Sequence, residues 1–227
     1  MNNSVSPKRV LVVLVVTDIL MGILHLLFST HTSVGEFFNL ASEENLPTLY
    51  SSLQFFLVAM AAVFSYFSEK EKQALIGYGW LVVAAFMLGL AVDETFQIHE
   101  ALISKVMAGP AGEGLRNYFG ATQDTDSLLW TVVFAPPMIL AAVGLMLFYY
   151  SRFKHDRQLF TGVLLSLSLL FLAAGLEYLE AKSLSNLVED SLKRYQLFTF
   201  VEEMVELLAA SLLVWAHYSY GWKLEFK

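Results

Sequence analysis

The octapeptide DETFQIHE places Asp93, Glu94, His99 and Glu100 within one short stretch. Carboxylates and an imidazole together are the groups that ligate iron, manganese or zinc and that move protons in acid–base catalysis. Two more carboxylate pairs repeat a Glu-x-x-Glu spacing: Glu177 and Glu180 in EYLE, and Glu203 and Glu206 in EMVE. Glu202 precedes the second pair, and Asp18 and His25 stand seven residues apart near the N-terminus. On a helix, residues three or four apart are neighbours. Each pair therefore points two ligands in one direction.

These types suggest a metal site of one or two ions, with iron or manganese favoured over zinc. Its candidate ligands are Asp18, His25, Asp93, His99, Glu100, Glu177, Glu180, Glu203 and Glu206. A carboxylate that does not ligate, Glu94 or Glu202, would serve as base. The matching chemistry is oxidation of a lipid or another apolar substrate, or its hydrolysis by a metal-bound water. Intramembrane acids and histidines are equally the groups of proton relays and cation pathways, so coupled transport is the alternative. A non-catalytic structural or interaction protein is the second. The chain has no cysteine, which excludes disulfides, thiolate metal sites and cysteine nucleophiles. No GxSxG elbow, phosphate loop or basic stripe is present, which argues against those hydrolases and against nucleic-acid partners.

The elements that must position these residues are membrane spans. Of 227 residues, 56% are hydrophobic and 15% charged, against about 25% charged in soluble domains. Six apolar segments reach the roughly 20 residues a spanning helix needs: Val10–Phe28, Thr48–Phe67, Ala74–Val106, Leu128–Ser151, Leu159–Leu184 and Gln196–Tyr220. The reading is an all-α, six-span transmembrane bundle in one polytopic domain over 1–227. Asn45 is placed to cap the second span ahead of Pro47, and Pro136–Pro137 should kink the fourth. Lys8, Arg9, Lys70, Lys72, Arg152, Lys154, Arg157, Lys223 and Lys227 fall on one side, against five basic residues on the other. That bias predicts both termini in the cytoplasm, in the plasma (inner) membrane, with lipids as partners.

In this topology the acids of spans three, five and six lie at one depth, in the outer half. A pocket lined by spans one, three, five and six is expected there, with spans two and four completing its wall. At about 100° per residue, a continuous span three aligns Asp93, Gln97 and Glu100, sets Glu94 to one side and turns His99 away, unless a bulge intervenes. The acids of spans three and five then sit towards helix C-termini, where negative charge is disfavoured. Glu43, Glu44, Glu189 and Asp190 read as solvated flanks, and His31, His155 and His217 as interfacial. The inner halves of spans two to six read as nearly uncharged.

Overall fold

The computed structural model describes residues 5–28, 33–42, 44–69, 74–119, 133–184 and 189–225, with the backbone alone at 33, 74–76, 119, 180–184 and 189–193. Within these residues the chain is helical and has no strand. Its helices are α1 (Pro7–Phe28), α2 (Ser33–Phe37), α3 (Leu46–Glu69), α4 (Ala74–Phe96), α5 (Ile98–Ala108), α6 (Pro110–Phe119), α7 (Ala135–Phe153), α8 (Arg157–Leu184) and α9 (Glu189–Glu225). Five segments are long and apolar enough to cross a membrane: Pro7–Phe28, Leu46–Glu69, Gly77–Phe96, Ala135–Phe153 and Arg157–Leu179. The protein is an all-α, multi-pass membrane bundle.

The sixth expected span lies in α9, which is not among those five. Its 37 residues extend about 55 Å at 1.5 Å per residue, well beyond a hydrocarbon core of about 30 Å. It packs on α1, α3 and α8, and Leu207, Ala209, Ala210, Leu213, Val214, Trp215 and Ala216 are all buried. A helix enclosed by other helices needs no apolar belt of its own, because its neighbours stand between it and lipid. The least apolar long helix is therefore the central one.

Helix ends follow local chemistry. Asn45 Oδ1 accepts from the backbone N–H of Thr48 at 3.2 Å and from its hydroxyl at 3.1 Å, capping α3 ahead of Pro47 as its position suggests. The Asn45 amide also donates to the carbonyls of Glu36, Asn39 and Ser42, tying the preceding loop to α3. Pro136 and Pro137 do not kink a span. They occupy the first turn of α7, behind Phe134, where a missing N–H leaves no helical bond unmade.

Span three is not continuous. Gln97 adopts φ 50°, ψ 42°, a left-handed conformation that ends α4 and starts α5. Its N–H donates back to the Asp93 carbonyl at 2.7 Å, and its own carbonyl accepts from Ala101 at 3.0 Å.

The main core joins α3, α4, α7, α8 and α9. Small residues bring the helices close. A Cβ built on Gly79 would lie 2.2 Å from the Phe148 ring, and one on Gly162 would lie 2.5 Å from Trp215. At the end of the bundle that carries both termini, Glu69 is buried. Its carboxylate accepts from Trp80 Nε1 at 3.0 Å and from the Tyr220 hydroxyl, and it pairs with Arg152 at 3.3 Å. The expectation of an interfacial His217 is corrected here. It is fully buried, donates from Nδ1 to the Leu213 carbonyl at 2.8 Å and accepts at Nε2 from the Tyr149 hydroxyl at 3.1 Å. The half of the bundle nearer the described chain ends is therefore more polar than the charge count implied.

Candidate functional site

The break at Gln97 builds the first constellation. A helix that restarts exposes N–H groups with no partner in the preceding turn. Asp93 supplies one partner from six residues upstream: its Oδ1 accepts from the His99 backbone N–H at 2.8 Å. Its Oδ2 meets His99 Nδ1, also at 2.8 Å. The two side chains are 28% and 26% exposed, so the pair is sheltered but reachable. His99, expected to turn away, is brought onto Asp93 by the left-handed residue between them. The uninterrupted stripe of Asp93, Gln97 and Glu100 is lost at the same point. The dipole conflict is eased too: Asp93 lies in the last turn of α4, but its carboxylate reaches the N-terminus of α5, and Glu100 lies in the first turn of α5, where negative charge is favoured.

An open apolar groove of about 300 Å³ runs between α3 and α4, and neither Asp93 nor His99 lines it. Leu49, Leu53, Phe56, Leu88, Val92 and Phe96 form its walls. Ser52 and Thr95 add polarity. The Ser52 hydroxyl donates to the Ala91 carbonyl at 2.7 Å, and that of Thr95 donates to Ser52 Oγ at 2.9 Å. The cleft reaches Phe96, the residue before the break.

The second constellation surrounds Asp18, which is fully buried on α1. Its Oδ1 accepts from the Tyr50 hydroxyl at 2.8 Å and from Gln54 Nε2 at 3.1 Å, and its Oδ2 accepts from the Ser211 hydroxyl at 2.7 Å. Gln54 Nε2 also lies 2.9 Å from Ser211 Oγ. The second span thus lines the polar centre instead of merely walling it. Asp18 and His25 share a face of α1 but not a partner. His25 Nδ1 accepts from the Leu40 backbone N–H at 3.1 Å, and its ring stacks on Phe200 at 5.5 Å. It pins the loop after α2 against α1 and α9.

The remaining candidates are distributed. Glu202 is buried on α9, while Glu94, Glu100, Glu177, Glu203 and Glu206 are half-buried. None of Glu94, Glu177, Glu202, Glu203 and Glu206 is without a partner. The side chains of Glu180 and Lys182 lie outside the described residues, as do Glu43 and His31. Thr199, aligned in sequence with the acids of α9, bonds back to the Tyr195 carbonyl at 3.0 Å. Among the described residues, no three His, Asp or Glu side chains stand together as a metal site requires. The structure brings together Asp93 with His99, and Asp18 with three neutral donors. Tyr50, Gln54 and Ser211 were not anticipated. Their signal was a polar side chain inside an apolar run, which in a membrane helix is costly and marks a site.

A family model described as a domain of unknown function, DUF8692, matches residues 10–222, and the chain belongs to that family. No curated protein and no solved structure matches it.

Proposed function

We propose that this family member is a membrane-embedded acid–base catalyst. Asp93 and His99 form its working pair, and a lipid or another amphipathic, largely apolar molecule is its substrate. The observation that carries this reading is the left-handed Gln97, which turns His99 onto the carboxylate that caps α5. A non-glycine residue in that conformation costs about 1–2 kcal/mol, and such strain tends to collect where function uses it. With a carboxylate on Nδ1, the proton sits there and the basic lone pair lies on Nε2. His99 Nε2 takes a proton from a water or substrate hydroxyl, Asp93 stabilises the imidazolium, and the same proton is returned to the leaving group. The cleft between α3 and α4 holds the apolar part of the substrate, and its Ser52 and Thr95 hydroxyls face the more polar part.

Glu94 is the second carboxylate of this reading, and Glu202, buried on α9, is the alternative base. A version dependent on iron, manganese or zinc would recruit Glu177, Glu203 or Glu206 as further ligands. The acid–base form needs only the pair whose geometry is described. The proposed placement puts this site at the outer face of the plasma membrane, with both termini in the cytoplasm.

The test compares wild type with His99→Gln and Asp93→Asn in liposomes of mixed phosphatidylethanolamine and phosphatidylglycerol, with lipid products read by mass spectrometry. Each variant is expected to lose about 10²-fold or more of any lipid conversion, with Tm within a few degrees of wild type. Conversion that is unchanged in both variants overturns the reading. Coupled transport is the second reading, favoured by the buried Glu202, Ser211, His217 and Ser219 along α9. Proton or Na⁺ flux in the same liposomes tests it.

A further inference from the structure

The surroundings of Asp18 pose a charge problem that its hydrogen bonds do not solve. Its donors are two hydroxyls and an amide, all neutral. Among the described residues no Lys, Arg or His pairs with it, although the carboxyl is fully buried. A lone ionised carboxylate among apolar helices costs several kcal/mol. Hydrogen bonds recover part of that cost and none of the net charge.

A second observation is independent of the carboxylate. Gln54 is fully buried. Its amide nitrogen is committed to Asp18 and Ser211, so covalent geometry places Oε1 in the same cluster. Gln54 Oε1 has no hydrogen-bond partner, and neither does Ser51 Oγ, one turn earlier on α3 and also buried. Orphaned oxygens in a helix core are rare and call for an explanation. Gln54 stands on the helix face that meets the buried carboxylate, and Ser51 lies about 60° round the helix from it. The Leu14 carbonyl lies 3.3 Å from the Tyr50 hydroxyl and adds another oxygen from α1.

We propose that Asp18, Gln54, Ser51, Ser211 and Tyr50 form a binding site for a small monovalent cation, of the sodium class, in the core of the bundle between α1, α3 and α9. Every available ligand is oxygen: a carboxylate, an amide oxygen and hydroxyls. Such ligands suit hard cations and exclude the softer transition metals. A single carboxylate balances a single positive charge, which separates this site from those for Mg²⁺ or Ca²⁺. The cluster is closed at hydrogen-bond distances of 2.7–3.1 Å, which favours a small ion over K⁺. A proton on Asp18 would also cancel the charge. That proton is a single donor and satisfies at most one of the two orphaned oxygens, whereas a cation can be ligated by both and by the carboxylate. This site stands on its own residues and does not depend on Asp93 or His99.

The test is thermal unfolding of the purified full-length protein in detergent, at constant ionic strength and pH. NaCl is exchanged for KCl or choline chloride. Binding to the folded state alone raises Tm, by about 5 °C at Na⁺ about 100-fold above its Kd, and saturates with concentration. Na⁺ is expected to give this rise, with K⁺ weaker and choline inert. Asp18→Asn keeps the shape and should abolish the response. Ser51→Ala removes one orphaned oxygen at small cost and should weaken Na⁺ binding several-fold while the fold remains intact. Should Asp18→Asn fail to fold, Ser51→Ala alone decides. Equal Tm in all three salts, a response to pH without one to Na⁺, or a full Na⁺ response in Ser51→Ala would each overturn the proposal.

Discussion

Glu69 ties α3, α4, α7 and α9 together at the termini end through Trp80, Arg152 and Tyr220. The Glu69 and Arg152 side chains are 7% and 9% exposed, so solvent screens their 3.3 Å pairing little. Removing one partner of a buried pair costs about 3–5 kcal/mol. Glu69→Ala also withdraws the acceptor from the Trp80 N–H and the Tyr220 hydroxyl, each of which costs about 1–3 kcal/mol when left buried without one. These terms share the same carboxylate and do not add, so the expected loss is about 3–5 kcal/mol. For a chain of this length that corresponds to a fall in Tm of roughly 10 °C. Glu69→Gln keeps the volume and an acceptor oxygen, and should lose about half as much. A double-mutant cycle with Arg152→Met isolates the ionic part: the pair of changes should cost at least about 1 kcal/mol less than the sum of the single ones. The assay is thermal or denaturant unfolding in detergent, with intrinsic tryptophan fluorescence reporting Trp80. A Glu69→Ala variant within about 0.5 kcal/mol of wild type, or a cycle with no coupling, would refute the account. Either result would mean that water and headgroups already solvate this end.

Two further predictions concern packing and the interior. Gly79→Ala drives a methyl group into the Phe148 ring and should cost about 1–3 kcal/mol, whereas Gly89→Ala on the same helix meets nothing within 4 Å and should be neutral or gain up to about 1 kcal/mol; parallel melts of the two variants check the contrast. Tyr149→Phe removes the donor to the buried His217 Nε2 and should cost about 1–2 kcal/mol, read as a lower Tm with no loss of helical circular dichroism.

What could be read from the sequence divides along physical lines. Five of the six expected spans were legible because a membrane demands apolar length, and length survives any detail of packing. Asn45 was legible as a cap because its partner, Thr48, is three residues away. DETFQIHE was legible as chemistry but not as geometry. The 100° count assumed one helix, and glutamine carries no mark of a left-handed turn, so His99 was aimed away from the residue it meets. The proline pair misled for the opposite reason: its signal is strong, but it means a kink or a start depending on where the helix begins. Asp18 was legible as an intramembrane acid. Its partners are 32, 36 and 193 residues distant, and no periodicity within one helix can pair residues that packing alone brings together.

The position of α9 connects these results. In water a long helix hides its apolar face, but in a membrane the lipid-facing surface must be apolar, and polar side chains are affordable only on faces turned towards other helices. Five apolar segments surround a central helix that carries Glu202, Ser211, His217 and Ser219 inside the bundle. The same enclosure explains why Asp18 finds Ser211 across the α1–α9 contact and why His217 finds Tyr149 on α7. A polar residue on α9 acts on whichever neighbour closes over it. A polar residue added to the exposed faces of α1 or α7, such as Val12→Gln or Leu140→Gln, meets only hydrocarbon. Among the described residues, the two proposed sites therefore lie along the seam of α9 and at the far end, where the turn at Gln97 ends the spanning helix ahead of His99.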